Sequence, residues 1–138
     1  MYEASSAGVK INLIIRGICS LVPGLKGLSE NIKVISIIDR YLEHARIFAF
    51  CNGGNELYFI GSADWLVRNL DKRVEVTTPI FDKRLIHQLK RFLEIQLSDN
   101  VKARLIDENG SNKHVPTVGK KIRSQLELHD FFNQLLKE

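Results

Sequence analysis

The four residues from Asn52 to Asn55 constrain the fold of this chain more than any other short segment. They read Asn-Gly-Gly-Asn and separate two short apolar runs, at 46–51 and 56–60. Asparagine and glycine accept the left-handed backbone that tight reversals need, so the segment predicts a β-hairpin. The fold therefore contains at least one antiparallel pair of strands.

Strands and helices are both predicted outside this hairpin. A helix over 82–97 is capped by Asp82, and a second starts at Ser124, where Glu127 completes a capping box. Short strands rich in β-branched and other apolar residues are predicted at 10–15, 33–38, 73–78 and 101–107. Strands mixed with long helices predict an α/β fold with a mixed β-sheet flanked by helices.

Three smaller features complete this prediction. A short N-terminal helix stops at Gly8 but lacks a start signal, which suggests that the sequence was cut from a longer protein. The segment 23–31 is a loop, and 39–43 is expected to form a single helical turn. We expect the 73–78 strand to end at Pro79, because proline cannot donate to a strand ladder.

The composition is that of an ordinary globular protein. The chain has 138 residues, of which 44% are hydrophobic and 26% charged, with a net charge of +4. This charge suits an anionic partner but is too small to indicate nucleic acid by itself. The two cysteines, Cys19 and Cys51, lie among apolar residues and are expected to be reduced and buried.

Residues 61–75 form the polar segment that is best suited to binding anions. Gly61 and Ser62 follow an apolar strand and offer backbone N–H groups and a hydroxyl to a phosphate. Arg68 and Arg73 add positive charge, and the planar guanidinium suits phosphate geometry. From the sequence alone, an ordinary solvated loop explains these residues at least as well.

Arg16 and His44 stand near the ends of predicted strands, where α/β proteins usually bind ligands. Arg16 needs an anionic partner, which is either a ligand or a local carboxylate such as Glu43 or Asp64. The imidazole of His44 can contact a phosphoryl oxygen or pass a proton, although an isolated histidine is more often structural. We expect one sheet to present Arg16 and His44 at the same edge.

The pattern His44-Ala45-Arg46 followed by Gly61-Ser62 resembles one half of the phospholipase D superfamily signature. That superfamily builds its active site from two such halves, and one histidine carries the phosphoryl group covalently. This chain holds one half, with Arg46 in place of lysine and Asp64 in place of asparagine. The resemblance implies a phospholipase D-like fold but not a complete nuclease or lipase.

A closer resemblance is to the C-terminal domain of bacterial polyphosphate kinases. Long matching segments occur in order and cover most of residues 1–80, whereas the rest of the chain matches more loosely. The segments are Ile15-Arg16-Gly17-Ile18-Cys19, Gly27-Leu28-Ser29-Glu30-Asn31-Ile32, Arg40-Tyr41-Leu42-Glu43-His44-Ala45-Arg46-Ile47, Gly61-Ser62-Ala63-Asp64-Trp65 and Arg68-Asn69-Leu70-Asp71-Lys72-Arg73-Val74-Glu75-Val76.

This resemblance implies a phosphotransferase that reversibly moves the terminal phosphate of ATP onto polyphosphate, with Mg²⁺ assisting. In this family a phosphohistidine forms in the preceding domain, and the magnesium is held mainly by residues outside the C-terminal domain. Arg16 and His44 match the family's phosphate-contacting arginine and second histidine, so both would bind ATP phosphate and His44 would be catalytic. The lesser candidates for lining the phosphate path are Gly61, Ser62, Arg68 and Arg73.

The resemblance also implies how the chain is organised and where it works. Residues 1–138 would form a single domain, the C-terminal catalytic half of a longer multidomain enzyme, and would be inactive alone. The partners would be the preceding domains and further copies of the enzyme, since family members form dimers or tetramers. The location would be cytoplasmic, and family members can associate with the inner membrane.

The alternative is a non-catalytic module with a degenerate phospholipase D-like fold that binds anions or nucleic acid, or serves in assembly. Single-stranded nucleic acid is bound by stacking on exposed aromatic side chains. Trp65 is the only tryptophan, and the seven phenylalanines lie mostly in strands and helices that are expected to be buried. Nucleic acid is therefore not expected as a partner.

Overall fold

The computed structural model describes residues 1–137, which form two compact units. The first unit consists of residues 1–43 and the chain from Ile95 onward, and the second of His44–Glu94. The single-domain prediction requires that the two units unfold together. The elements in chain order are α1 (Tyr2–Ser6), β1 (Ile11–Ile14), β2 (Ile32–Ile37), β3 (Ile47–Phe50), β4 (Leu57–Gly61), α2 (Val67–Lys72), β5 (Thr77–Ile80), α3 (Lys83–Leu97), β6 (Ala103–Ile106) and α4 (Ser124–Leu135).

The sheet of the first unit is mixed and has the strand order β1-β2-β6. Strand β1 pairs with β2 in parallel, and β2 pairs with β6 antiparallel. The central strand supplies the core, because Ile32, Val34 and Ile37 are each at most 3% exposed. Ala103 on β6 and Leu128 on α4 are buried as well. The predicted α/β class with mixed strands and flanking helices is confirmed.

The sheet of the second unit is antiparallel and has the order β3-β4-β5. Asn52, Gly53 and Gly54 connect its first two strands with positive φ angles of 45°, 65° and 95°. Three such angles in a row require residues that tolerate left-handed backbone. The hairpin predicted from these residues is confirmed.

The prediction that Pro79 ends a strand is wrong. Pro79 lies inside β5, where it pairs with Phe59 of β4. Strand β5 is at the edge of its sheet, so the missing N–H of proline leaves no neighbouring strand unpaired. The strand covers Thr77–Ile80, toward the C-terminus of the predicted range 73–78, and helix α2 occupies Val67–Lys72 within the polar segment 61–75.

The expected capping box at the start of α4 is also wrong, although the helix does begin at Ser124. The backbone N–H of Ser124 donates to Asp99 Oδ2 at 2.7 Å, and Glu127 instead accepts from Lys120 Nζ at 3.0 Å. Asp99 is fully buried, and its Oδ1 accepts from the N–H groups of residues 101–103. This carboxylate therefore caps α4 and ties it to the start of β6.

The single helical turn expected at 39–43 is absent, and the segment has no regular secondary structure. Arg123 donates to both oxygens of Asp39, and the side-chain amide of Gln125 bonds both backbone polar groups of Tyr41. The bonds from Gln125 satisfy the backbone N–H and carbonyl of Tyr41, which a helical turn would otherwise pair locally.

Two expectations about burial are wrong. Cys51 is exposed and Cys19 half-buried, and both are free thiols. Phe50, Phe81 and Phe132 are between 42% and 81% exposed, so the phenylalanines are not mostly in the core. Phe50 is exposed because it lines an apolar surface pocket of about 260 Å³ on the second unit, which Trp65 also lines.

Candidate functional site

A cleft of about 670 Å³ in the second unit contains most of the site residues that the sequence indicated. It lies where the chain enters β3 and leaves β4. Its ionisable lining consists of one histidine, three arginines and one aspartate, so positive charge is in excess. The five sequence-predicted residues that line it are His44, Gly61, Ser62, Arg68 and Arg73.

His44 lies beside a pair of opposite charges in this cleft. Arg46 Nη1 lies 3.0 and 3.2 Å from the two ring nitrogens of His44 and also donates to the His44 carbonyl at 3.0 Å. Arg46 Nε donates to Asp64 Oδ1 at 3.0 Å. The aspartate thus holds the guanidinium, and the guanidinium contacts the imidazole. This arrangement orients an otherwise exposed histidine.

Ser62 is engaged by Glu75 and by backbone. Its hydroxyl donates to Glu75 Oε2 and accepts from the N–H of Val76 at 3.0 Å. Asn69 Nδ2 donates to Glu75 Oε1 at 3.1 Å, and Arg73 Nε lies 3.4 Å from the same oxygen. The hydrogen bond from Ser62 is the main reason that the pKa of Glu75 lies below its usual range. The hydrogen bond from Asn69 and the positive charge of the nearby arginines lower this pKa further. A phosphate oxygen could accept a hydrogen bond from the Ser62 hydroxyl only by displacing Glu75.

Arg68 and Arg73 are the more available cations of the cleft. Arg68 is exposed and makes no ion pair within residues 1–137. The Arg73 side chain is 63% exposed despite its contact with Glu75. Gly61 supplies a close backbone wall, since a Cβ there would lie 3.2–3.3 Å from Thr77, Phe48 and Val76 atoms. Charge for an anion therefore comes from the arginines rather than from the Gly-Ser turn.

Arg16 lies in the first unit, two residues beyond β1. Its Nη1 donates to the backbone carbonyl of Glu43 at 2.6 Å, so the predicted contact with Glu43 exists but is not an ion pair. Asp64, the other carboxylate considered, pairs with Arg46 in the second unit. Arg16 is exposed, and no carboxylate within residues 1–137 forms a salt bridge with it. Its remaining N–H groups are available to an anion.

Arg16 and His44 do not flank strands of a single sheet. Arg16 follows β1 in the sheet β1-β2-β6, whereas His44 precedes β3 in the sheet β3-β4-β5. The expectation that one sheet edge presents both residues is therefore wrong. The reason is that β1 and β3 have different partners, which short apolar runs do not specify.

Comparisons with known proteins show the family of this chain. The family model described as polyphosphate kinase C-terminal domain 2 matches residues 1–125. The chain belongs to this family. The resemblance drawn from the motifs at 15–19, 40–47 and 61–65 is thereby confirmed.

The relatives are similar over nearly the whole chain but are much longer. Polyphosphate kinases of Klebsiella pneumoniae and Escherichia coli (strain K12) are 52% and 49% identical over 136 residues, which is 98% of this chain and 20% of each relative. The crystal structure of polyphosphate kinase from Porphyromonas gingivalis matches 96% of this chain and 20% of its own, with a TM-score of 0.93 and 46% identity. The chain thus spans about a fifth of the length of these relatives.

Several residues that support the candidate site were not predicted from the sequence. The sequence marks Arg46 and Asp64 as departures from the phospholipase D signature and Asp64 as a possible partner of Arg16, but it did not predict that Arg46 and Asp64 pair with each other. The signal for this pair in the sequence was that both departures occur in the same half-signature. No signal pointed to Glu75, because its partner Ser62 is 13 residues away, on the other side of helix α2.

Residues 1–137 were searched for a metal-binding cluster and for a membrane-spanning helix. Within residues 1–137, no group of three or more His, Cys, Asp or Glu side chains is placed to hold a metal ion. In the same part of the chain, no helix has the length and apolar character needed to cross a membrane.

Proposed function

We propose that this chain serves as the C-terminal fifth of a polyphosphate kinase and helps to transfer the terminal phosphate of ATP to polyphosphate. The observation that carries the proposal is the arginine-rich cleft, in which His44 stands beside the paired Arg46. Phosphoryl transfer is catalysed mainly by positioning and by stabilising charge, and such a cleft supplies both. Transfer in the reverse direction would use the same groups.

His44 and Arg16 have separate roles in this proposal. Arg16 would bind phosphate oxygens with the N–H groups that Glu43 leaves free, and so neutralise charge that spreads over the transferred group. His44 would donate a hydrogen bond or a proton to that group or to the leaving oxygen. Arg68 and Arg73 would line the polyphosphate path, with Gly61 and Ser62 as its scaffold.

The covalent step would lie outside this chain. A histidine in the preceding domain would attack the γ-phosphorus of ATP, and its N–P bond would form as the bond to the ADP oxygen breaks. The terminal oxygen of polyphosphate would then displace that histidine. Mg²⁺ would be held by residues beyond this domain, and no step is assigned to a metal bound here. The cytoplasmic location, the assembly into homo-oligomers and the association with the inner membrane stay predictions.

The alternative, a module that binds nucleic acid, has one observation to consider. Trp65 is 56% exposed and stacks on Phe48 with the ring centroids 5.6 Å apart. The pocket around this pair is lined by apolar residues and Thr77, without lysine or arginine. Stacking platforms for nucleic acid lie in basic grooves, and this pocket is not basic. A role of the arginine-rich cleft in phosphate transfer is therefore the better-supported proposal.

The test is steady-state kinetics on a full-length polyphosphate kinase that carries this sequence as its C-terminal fifth. We expect Arg16→Ala and His44→Ala each to lower kcat by about 100-fold or more, with a smaller change in ATP affinity. Arg16→Lys should recover only part of the loss, since an ammonium lacks the guanidinium fork. Matched controls are Arg84→Ala and His87→Ala, which alter exposed residues of α3. A folded His44→Ala enzyme with wild-type kcat would make His44 a structural residue.

A further inference from the structure

Glu43, the residue before His44, is a junction in the hydrogen-bond network of the first unit. Its backbone carbonyl accepts from Arg16 Nη1 at 2.6 Å. Its side-chain Oε1 accepts from Gln125 Nε2 at 2.7 Å, and its Oε2 accepts from Gln96 Nε2 at 3.0 Å. Both carboxylate oxygens and the carbonyl are thus in use. Glu43 therefore joins Arg16 to two helices that are distant in sequence.

Gln125 holds the same segment at a second residue. Its Oε1 accepts from the N–H of Tyr41 at 3.0 Å, and its Nε2 donates to the Tyr41 carbonyl at 2.8 Å. Gln125 and Gln96 are only 8% and 5% exposed. A buried amide is costly without partners, so these contacts form a fixed arrangement rather than a surface encounter.

The position of Gln125 is itself fixed by the capping of α4. Gln125 lies in the first turn of that helix, next to Ser124, whose N–H is held by the buried Asp99. The segment 39–43 has no regular secondary structure, so backbone pairing does not set its path. Its path is set by side chains, chiefly Gln125 on Tyr41 and Glu43.

We infer that Gln125 and Gln96 are positioning residues that orient Arg16 by fixing the carbonyl of Glu43. The inference rests on the proposed function, in which Arg16 binds the transferred phosphoryl group. An exposed arginine has many rotamers, and one hydrogen bond of its guanidinium to a fixed carbonyl removes much of that freedom before substrate arrives. The start of α4, which lies outside the matching motifs, would then serve the reaction as well as the fold.

A purely structural role for the two glutamines makes a different prediction. It requires their loss to lower stability and to leave turnover of the folded enzyme unchanged. A positioning role requires their loss to lower kcat more than it raises KM, and only while Arg16 is present. The second requirement can be measured directly, because Arg16 can be removed.

The experiment compares Gln125→Leu and Gln96→Met in the full-length enzyme, each with Arg16 and with Arg16→Ala. We expect Gln125→Leu to lower kcat about tenfold with little change in KM, and Gln96→Met to lower it less, since one bond is lost. In the Arg16→Ala background both substitutions should change kcat by less than about twofold. If Gln125→Leu fails to fold, Gln96→Met gives the same test.

Asn100→Ala is the matched control. Asn100 also bridges two backbone groups of the first unit, the Lys120 carbonyl and the Ile122 N–H, but does not contact Glu43. It should lower the melting temperature and leave kcat unchanged. Equal losses from Gln96→Met with and without Arg16, or wild-type kcat in that folded variant, would overturn the inference alone. Wild-type kcat in Arg16→Ala would overturn the proposed function and the inference together.

Discussion

Removal of the Asp99 carboxylate should destabilise the first unit more than loss of any exposed carboxylate. Asp99 is fully buried and accepts four backbone hydrogen bonds, at 3.0, 2.7 and 2.9 Å from residues 101–103 and at 2.7 Å from Ser124. Hydrogen bonds to a charged group contribute roughly 1.5–3 kcal/mol each to stability. These contributions are not additive, because the site can relax and admit water when the carboxylate is removed. We therefore expect Asp99→Ala to cost about 4 kcal/mol in unfolding free energy.

Asp99→Asn gives a graded version of the same test. The amide keeps one oxygen for the turn at 101–103 but presents an NH₂ group to the N–H of Ser124. Loss of the cap and of the negative charge at the helix start should cost roughly 2 kcal/mol. Urea denaturation of the isolated chain at neutral pH, followed by circular dichroism, measures both variants.

The pH dependence of stability provides an independent check on Asp99. Burial raises the pKa of this carboxyl, but the N–H groups of Ser124, Lys102 and Ala103 outweigh it and hold the pKa below the ordinary 3.8. The unfolded chain then binds the proton more readily than the native one. The stabilisation is present above about pH 4 and is lost as the pH falls through the lower native pKa. Asp99→Asn should flatten this part of the profile.

Asp107→Ala is the control for both measurements. Asp107 also accepts backbone hydrogen bonds, from Ser111 at 2.8 Å and Asn109 at 3.2 Å, but it does so on a surface turn. Its loss should leave the urea midpoint close to that of the wild type. A cost below about 1 kcal/mol for Asp99→Ala would refute the argument that this carboxylate holds α4 on β6.

Two further predictions concern the isolated chain. Residues 1–138 should fold as a monomer or weak oligomer with one cooperative melt, and a flat near-UV spectrum or two separate transitions would contradict the single-domain prediction. The isolated chain should neither take up label from γ-labelled ATP nor make polyphosphate, because the proposed carrier histidine lies in a preceding domain. Acid-labile label on this chain at a catalytic rate would instead make His44 the carrier.

Local signals predicted those parts of the fold that depend on neighbouring residues. Asn52-Gly53-Gly54 specified a hairpin because the turn itself requires positive φ angles. Asp82 specified the start of α3, and its Oδ1 accepts from the N–H of Arg84 at 2.8 Å. Both features could be predicted because each motif lies within a few residues of the structure it determines.

Non-local partners explain what the sequence did not predict. The sequence predicts a capping box between Ser124 and Glu127, but the N–H of Ser124 donates to Asp99, which lies 25 residues earlier. The separation into two sheets depends on which strands pair, and β1 and β3 give no such information. In the first unit, Gln125 contacts Glu43 across 82 residues, a separation over which no spacing rule applies.

The proposal that Arg16 and His44 act on the same phosphoryl group rests on the family resemblance, and a double-mutant cycle tests it most directly. The measurement is kcat for the full-length wild type, Arg16→Ala, His44→Ala and the double variant, with folding checked by thermal melts. If the two groups act together, the double variant should lose little more than the more damaged single variant. Losses that multiply, so that two 100-fold effects give about 10,000-fold, would contradict the claim and assign the two residues to separate steps.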